Sequence, residues 1–347
     1  MRIDRLNPAW LFVVLVVVGL LVDARAAAPD DWAVIETFQI GGQGGWDYLT
    51  VDTAAHRLYV SRGTHVAVID LDHDSLVGDI ANTNGVHGIA FVRDLNRGFT
   101  SNGRDTTVTV FDLKTLAPVS VVRVTGANPD AITYDMVSGR VFTFNGRGAN
   151  ATAIDPKSGA VVGSVDLGGK PENAVSDGRG HMYVNIEDKS ELVAFDPKTL
   201  AVQARWSLAP CEEPSGLAID RKTRRLFSVC SNGLMAIVDP DRGRVLATLP
   251  IGNGTDGAAF DPATAFAVSS NGEGTMTVVH EESPDSFRVV ATVPTQRGGR
   301  TIALDERTHR LYTIAAQFGE TPAPTADRPR PRPPVIPGSV VVVILAR

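Results

Sequence analysis

One short pattern recurs seven times along this chain. It is an apolar run that ends in Asp in six of its seven copies, a turn, and a second run opening near a bulky residue. The copies read WDYLTVD (46–52), VHGIAFV (86–92), PDAITYD (129–135), PENAVSD (171–177), PSGLAID (214–220), TDGAAFD (255–261) and GRTIALD (299–305), with starts 40 to 44 residues apart. A second run follows each: RLYVS (57–61), RGFTS (97–101), RVFTF (140–144), HMYVN (181–185), RLFSV (225–229), AFAVS (265–269) and RLYTI (310–314). A third run follows, as in HVAVIDL and TVTVFDL, and a fourth closes most units, as in PVSVVRV (118–124) and RVLATLPI (244–251). Four short strands per unit, joined by Gly/Asp/Asn/Pro turns at a period near 42, specify the blades of a β-propeller. The fold expected is all-β, a seven-bladed β-propeller with four-stranded blades.

The ends of the repeat suggest how the ring closes. A lone strand, WAVIETFQI (32–40), precedes the first unit, and the last unit lacks its fourth strand. Pairing the two completes the seventh blade and removes an open sheet edge. Inside a blade the first strand lies nearest the axis, where space is least. Small or β-branched residues recur there: Thr50, Ala90, Thr133, Val175, Ala218, Ala259 and Ala303. Tyr59, Phe99, Phe142, Tyr183, Phe227, Phe266 and Tyr312 are expected farther out, filling the gaps between sheets as core rather than as a ligand cage.

Three segments fall outside the repeat. Arg2 and Arg5 precede 14 apolar residues (9–22), followed by Ala24-Arg25-Ala26. That order reads as a secretory signal peptide, residues 1–26, cut after Ala26; the run is short of the roughly 20 residues a membrane span needs. The propeller is expected over 27–347, in the periplasm or outside the cell, with no stable membrane span after cleavage. The second segment is ETPAPTADRPRPRPPVIPG (320–338) within unit seven, whose Pro content favours an extended solvated loop, with a docking segment as the sharper alternative. The third is the pair Cys211 and Cys230, read as a disulfide in an oxidising compartment.

The seven units, the RLYVS-type second strands, the stretches SNGRDTTVTVFDLKTL and CEEPSGLAID, the RPRPRPPVIPG insertion and the N-terminal leader together resemble the YncE-like, or YVTN-repeat, periplasmic propellers. The resemblance covers about 32–347. It implies a seven-bladed fold and says little about a reaction, because function resides in sites rather than folds.

Loops leading into the innermost strands of a propeller crowd around one mouth of its channel. The residues that begin those strands are Asp47, His87, Asp130, Glu172, Ser215, Asp256 and Arg300. Asn102, Asn145, Asn185, Asn232 and Asn271 lie near the ends of the second strands, which return to the same face, and Glu212 and Glu213 precede the strand of blade five. Turn chemistry explains many Asn and Asp residues, but not a ring at equivalent positions. The expected ligand site is therefore the mouth, with Asp47, His87, Asp130, Glu172, Asp256, Arg300, Asn102, Asn145 and Asn185 as its candidates. Carboxylate and amide oxygens there suit a hard cation such as Ca²⁺; no other cofactor is evident.

The first functional reading is a monomeric binding or scaffolding propeller for a small polar ligand or a protein partner. The alternative is a lactonase-like hydrolase, in which Glu172, Asp256 and a neighbouring Asn hold a cation while His87 or Asp130 handles protons. Haem, zinc-protease, nucleophile-elbow and P-loop motifs are absent. His280-Glu281-Glu282 is expected in a solvated outer turn, and Gly168-Gly169-Lys170 as a blade junction. A net charge of −6 and an acidic mouth disfavour nucleic acid; the densest Arg run, 328–332, sits in the Pro-rich loop.

Overall fold

The computed structural model describes residues 32–42, 45–325, 329 and 331–347; the segment read as a signal peptide lies outside them. Seven four-stranded antiparallel sheets form the propeller, and no α-helix occurs among the described residues. The innermost strands are Leu49–Asp52, Val86–Val92, Pro129–Asp135, Pro171–Ser176, Pro214–Asp220, Thr255–Asp261 and Ala303–Asp305. In blade seven the order outward is Ala303–Asp305, Arg310–Ala315, Val341–Ala346 and then Ala33–Gln39. The N-terminal strand thus closes the last blade, with Phe38 opposite Val342 and Ala33 opposite Ala346.

Second and third strands are buried at nearly every position, as in Arg97–Asn102 and Thr107–Asp112. Each sheet is covered on both faces by neighbouring blades, so these strands read as continuous apolar runs. The outer strands, such as Ser75–Ile80 and Pro118–Arg123, are mostly exposed. Thr50 pairs with Tyr59, Ala90 with Phe99, Thr133 with Phe142, Val175 with Tyr183, Ala218 with Phe227 and Ala303 with Tyr312. These six rings are at most 2% exposed, and each of the three phenylalanines contributes about 1.5–3 kcal/mol through burial. Blade six keeps this register but not the residue types: Ala259 faces Val268, while Phe266 sits two residues earlier, opposite Asp261.

Two recurrent side chains latch blade to blade at the end of the ring away from the leading residues. Asp at or just after the end of the first strand in six of the seven blades caps the following turn, as Asp52 does by accepting from the Ala54 and Ala55 amides. The same carboxylates bridge neighbours: Arg93 donates to Asp52 at 2.9 Å, Ser176 to Asp135 at 2.6 Å and Arg224 to Asp177 at 3.1 Å. The Arg that opens the second strand reaches the next blade's outer turn. Arg97 donates to the Pro156 carbonyl, Arg140 to that of Pro197 and Arg225 to that of Pro284.

The outer turns themselves rest on an Asp ending the third strand, such as Asp112, which accepts from the Lys114 and Thr115 amides. Blade six carries His280 at that position and lacks the turn. Its third strand therefore runs on through Thr275–Ser283, pairing with Ser286–Pro294. The expected solvated turn at His280-Glu281-Glu282 is instead strand, with Glu281 buried.

Candidate functional site

Each innermost strand enters from the same end of the ring, so its leading side chain projects toward the mouth. Asp47, Asp130, Glu172, Ser215, Asp256 and Arg300, from six different blades, line one cavity of about 250 Å³. His87, from the remaining blade, is bonded to its wall: the Nδ1 atom lies 2.5 Å from Asp47 Oδ2 and 3.6 Å from Asp130 Oδ1. Arg300 bridges the ring's other side, 2.8 Å from Asp256 and 3.7 Å from Asp47. Backbone anchors hold the rim. The Asp47 amide donates to Ser61 Oγ at 3.0 Å, and Thr301 Oγ1 donates to the Asp47 carbonyl at 2.8 Å.

Four residues that sequence reasoning missed complete the wall: Tyr48, Lys170, Glu187 and Arg332. Lys170 lies 2.8 Å from Glu172 and is ion-paired with Glu187, so the junction before blade four brings a cation to the cavity wall. Tyr48 occupies the position, one past the leading residue, that is Gly88, Ala131, Asn173, Gly216, Gly257 or Thr301 elsewhere. That position is crowded: a Cβ added at Gly216 would meet the Ala258 amide nitrogen at 2.6 Å. The Tyr48 ring instead crosses the channel and packs against the apolar cluster shared by blades three and four. One large residue where six are smaller was the available signal.

Five carboxylates (Asp47, Asp130, Glu172, Glu187 and Asp256) face three basic side chains (Lys170, Arg300 and Arg332) across the cavity. Burial pushes Asp130 up to about 7; His87 pulls it back, and Asp47 and Asp256 add to the rise. Glu172 is pushed up to about 8 by burial and then by Asp130, against the pull of Lys170. Asp256 rises to about 6 through burial, opposed by Arg300. Burial, followed by the surrounding carboxylates, holds the Tyr48 hydroxyl well above the ordinary tyrosine value. Burial opposes charging of His87, but the Asp47 hydrogen bond and the fields of Asp130 and Glu172 outweigh it and raise its pKa.

The asparagines do not join this cavity. Asn102, Asn145 and Asn185 are at most 1% exposed. Asn102 donates to Thr107 and Thr109 and accepts from Thr100; Asn145 does the same with Asn150, Thr152 and Thr143. Asn185 donates to the Ser215 and Gly216 carbonyls and accepts from Ser228. Their amides knit strands and adjacent blades together because an unpaired buried amide is costly. Asn271 is likewise buried, whereas Asn232, Glu212 and Glu213 sit on an exposed loop outside the cavity.

The cation site drawn on Glu172, Asp256 and an Asn therefore does not assemble: Lys170 and Arg300 take the carboxylates, and the amides are sealed in the blades. The donors that do cluster are on Asp47, His87 and Asp130, all within 4.8 Å of one another. Cys211 and Cys230 form a disulfide with a Cα–Cα distance of 5.7 Å, tying the loop before Ser215 to the second strand of blade five. That bond fits a compartment that tolerates disulfides. Among the described residues no helix is long and apolar enough to cross a membrane.

The Pro/Arg-rich insertion is not wholly a free loop. Phe318 bridges Val335, the Gly319 amide donates to the Pro334 carbonyl at 2.8 Å, and the Ile336 amide donates to that of Gln317 at 2.9 Å. This folds Arg332 back to the cavity wall.

No family model and no curated protein matches the sequence. Solved structures do match in shape. "Structure of U3-55K" gives a TM-score of 0.75 at 8% identity, covering 90% of this chain and 99% of that one. "Crystal Structure of Mitotic Checkpoint Complex" gives 0.72 at 10% identity, covering 100% and 99%. "Kuenenia stuttgartiensis Hydrazine Synthase" gives 0.68 at 16% identity, covering 78% and 92%. At these identities the likeness is one of fold, and the chain is a seven-bladed β-propeller.

Proposed function

We propose that this chain is a periplasmic or secreted binding propeller of the YVTN-repeat kind, residues 27–347 after removal of a 1–26 leader. It holds a small cationic ligand in the polar mouth. The observation that carries this reading is the convergence of one leading side chain from each of six blades on a single cavity in which carboxylates outnumber cations. Confining several acids where water is scarce raises their cost of ionisation, and a positively charged guest relieves that cost. An organic amine or a divalent ion supplies the charge, and Tyr48, Ser215 and Lys170 supply hydrogen bonds that orient the rest of the molecule.

The test is ligand-dependent thermal stabilisation against a panel of divalent salts, polyamines, amino sugars and lactones. A ligand at a hundredfold excess over its dissociation constant adds about 2.7 kcal/mol of apparent stability. Wild type should respond to a cationic compound, and Asp130→Asn/Glu172→Gln should not. An equal response in the double variant, or none from any cationic compound, defeats the reading.

A metal-assisted hydrolase is the second reading, supported by the Asp47, His87 and Asp130 donor set. Oxygen and imidazole ligands suit a divalent ion, which would polarise a carbonyl, with Tyr48 and Lys170 at hand to donate hydrogen bonds. Metal analysis with lactone turnover decides it. A divalent ion retained by wild type and lost with activity in Asp130→Asn favours hydrolysis; no bound or activating ion rules out this version.

A further inference from the structure

Beside the polar mouth lies a second cavity of a different character. It encloses about 480 Å³, within the roughly 300–1,000 Å³ of small-molecule sites. Trp46, Phe318 and Val335 give it apolar walls, and Arg297, Arg300 and Arg332 bring three guanidiniums; no carboxylate lines it.

The walls are built by contacts already on hand. Trp46 directly precedes Asp47, so the strand lead-in that presents the carboxylate to one cavity presents the indole to the other. Phe318 is held by the bridge to Val335, with its ring centroid 6.2 Å from that of Trp46 and inclined at 44°. Gly298, at φ +94°, makes the seat possible, because a Cβ there would stand 2.8 Å from the Phe318 ring.

The charges make the case. Arg300 is committed to Asp256. Arg297 and Arg332 have no ion pair and no side-chain hydrogen bond among the described residues, although the chain as a whole is acidic. Two uncommitted guanidiniums at the rim of an aromatic, carboxylate-free cavity complement a flat ring bearing a terminal anion. The ring packs on Trp46 and Phe318, and the anion accepts paired hydrogen bonds from arginine.

We propose that this cavity is a second binding site, for planar aromatic carboxylates or aryl phosphates. It shares Arg300 and Arg332 with the wall of the polar mouth, but it does not rest on the reading of that mouth, whose guest has the opposite charge.

Calorimetric titration of the full folded chain with 2-naphthoate, 2-naphthyl phosphate, 2-naphthalenemethanol and acetate tests it. One or both naphthyl anions should bind saturably, with the tighter one naming the anion. The neutral alcohol and acetate should each bind at least about tenfold more weakly. Affinity should fall about tenfold or more in Arg297→Gln/Arg332→Gln and in Trp46→Leu, and stay unchanged in Asp130→Asn. Both arginines are exposed, so the Gln pair should fold normally. The proposal is overturned if neither naphthyl anion saturates, if the alcohol binds as tightly, or if the Gln pair binds like wild type. A loss in Asp130→Asn as large as in the arginine pair would move the ligand to the polar mouth and overturn it too.

Discussion

Replacing Asp130 by Asn should stabilise the protein above neutral pH and leave it nearly unchanged in mild acid. Burial pushes the Asp130 carboxyl from an ordinary 3.8 up to about 7, and Glu172 from 4.5 up to about 8. An acid whose folded value lies above its unfolded value binds protons more tightly when folded. Stability from these two groups is therefore complete below about pH 4 and is lost as pH rises toward about 8. His87 adds to the same slope, since a raised imidazole value stabilises only while the ring is charged. At 1.36 kcal/mol per pH unit, the gap at Asp130 sets an upper bound of about 4 kcal/mol on the cost of its ionisation. Much of that cost passes to neighbours when Asp130 is removed, and Asn forgoes the attraction of His87 at 3.6 Å. A gain of about 1–2 kcal/mol at pH 8.5 is the expected remainder. Urea unfolding followed by tryptophan fluorescence, at about pH 4 and about pH 8.5, measures both limits. A variant that is no more stable than wild type at the higher pH refutes the reasoning. So does wild-type stability that rises between the two.

Two further perturbations probe the frame. The disulfide joins residues 19 apart, so its reduction should lower unfolding stability by about 3 kcal/mol; an unmoved urea midpoint contradicts this. Deleting Ala33–Gln39 strips the partner from Val341–Ala346 and exposes a sheet edge. Analytical ultracentrifugation should then show association or loss of the cooperative transition, and a stable monodisperse truncation would argue against closure by that strand.

The repeat made the ring legible because every blade meets the same constraint, a narrow axis beneath a widening wedge. Thr50 opposite Tyr59 and Ala303 opposite Tyr312 are two expressions of it. Blade six broke the reading at Phe266, because its aromatic stands where Arg57 stands in blade one, and Val268 takes the place opposite the small inner residue. The leading residues were legible for the same geometric reason, since any blade must begin its first strand at the mouth. The asparagines misled because an amide near a mouth and an amide sealed one layer beneath it look alike in one dimension. Asn145, spent on Asn150 and Thr152, is such a case. Lys170 and Arg332 were missed because each reaches the cavity from a connection rather than from a strand, and connections carry no period.

The decisive measurement is a carboxyl-carbon NMR titration of Asp130 and Glu172, assigned through their Asn and Gln variants. In the free protein the two should titrate near 7 and 8. With a saturating cationic ligand both should move down toward the ordinary carboxylate range, because the guest's charge replaces lost water. Two carboxyls titrating near 4 in the free protein, or unmoved by any bound cation, would contradict a mouth built to hold positive charge.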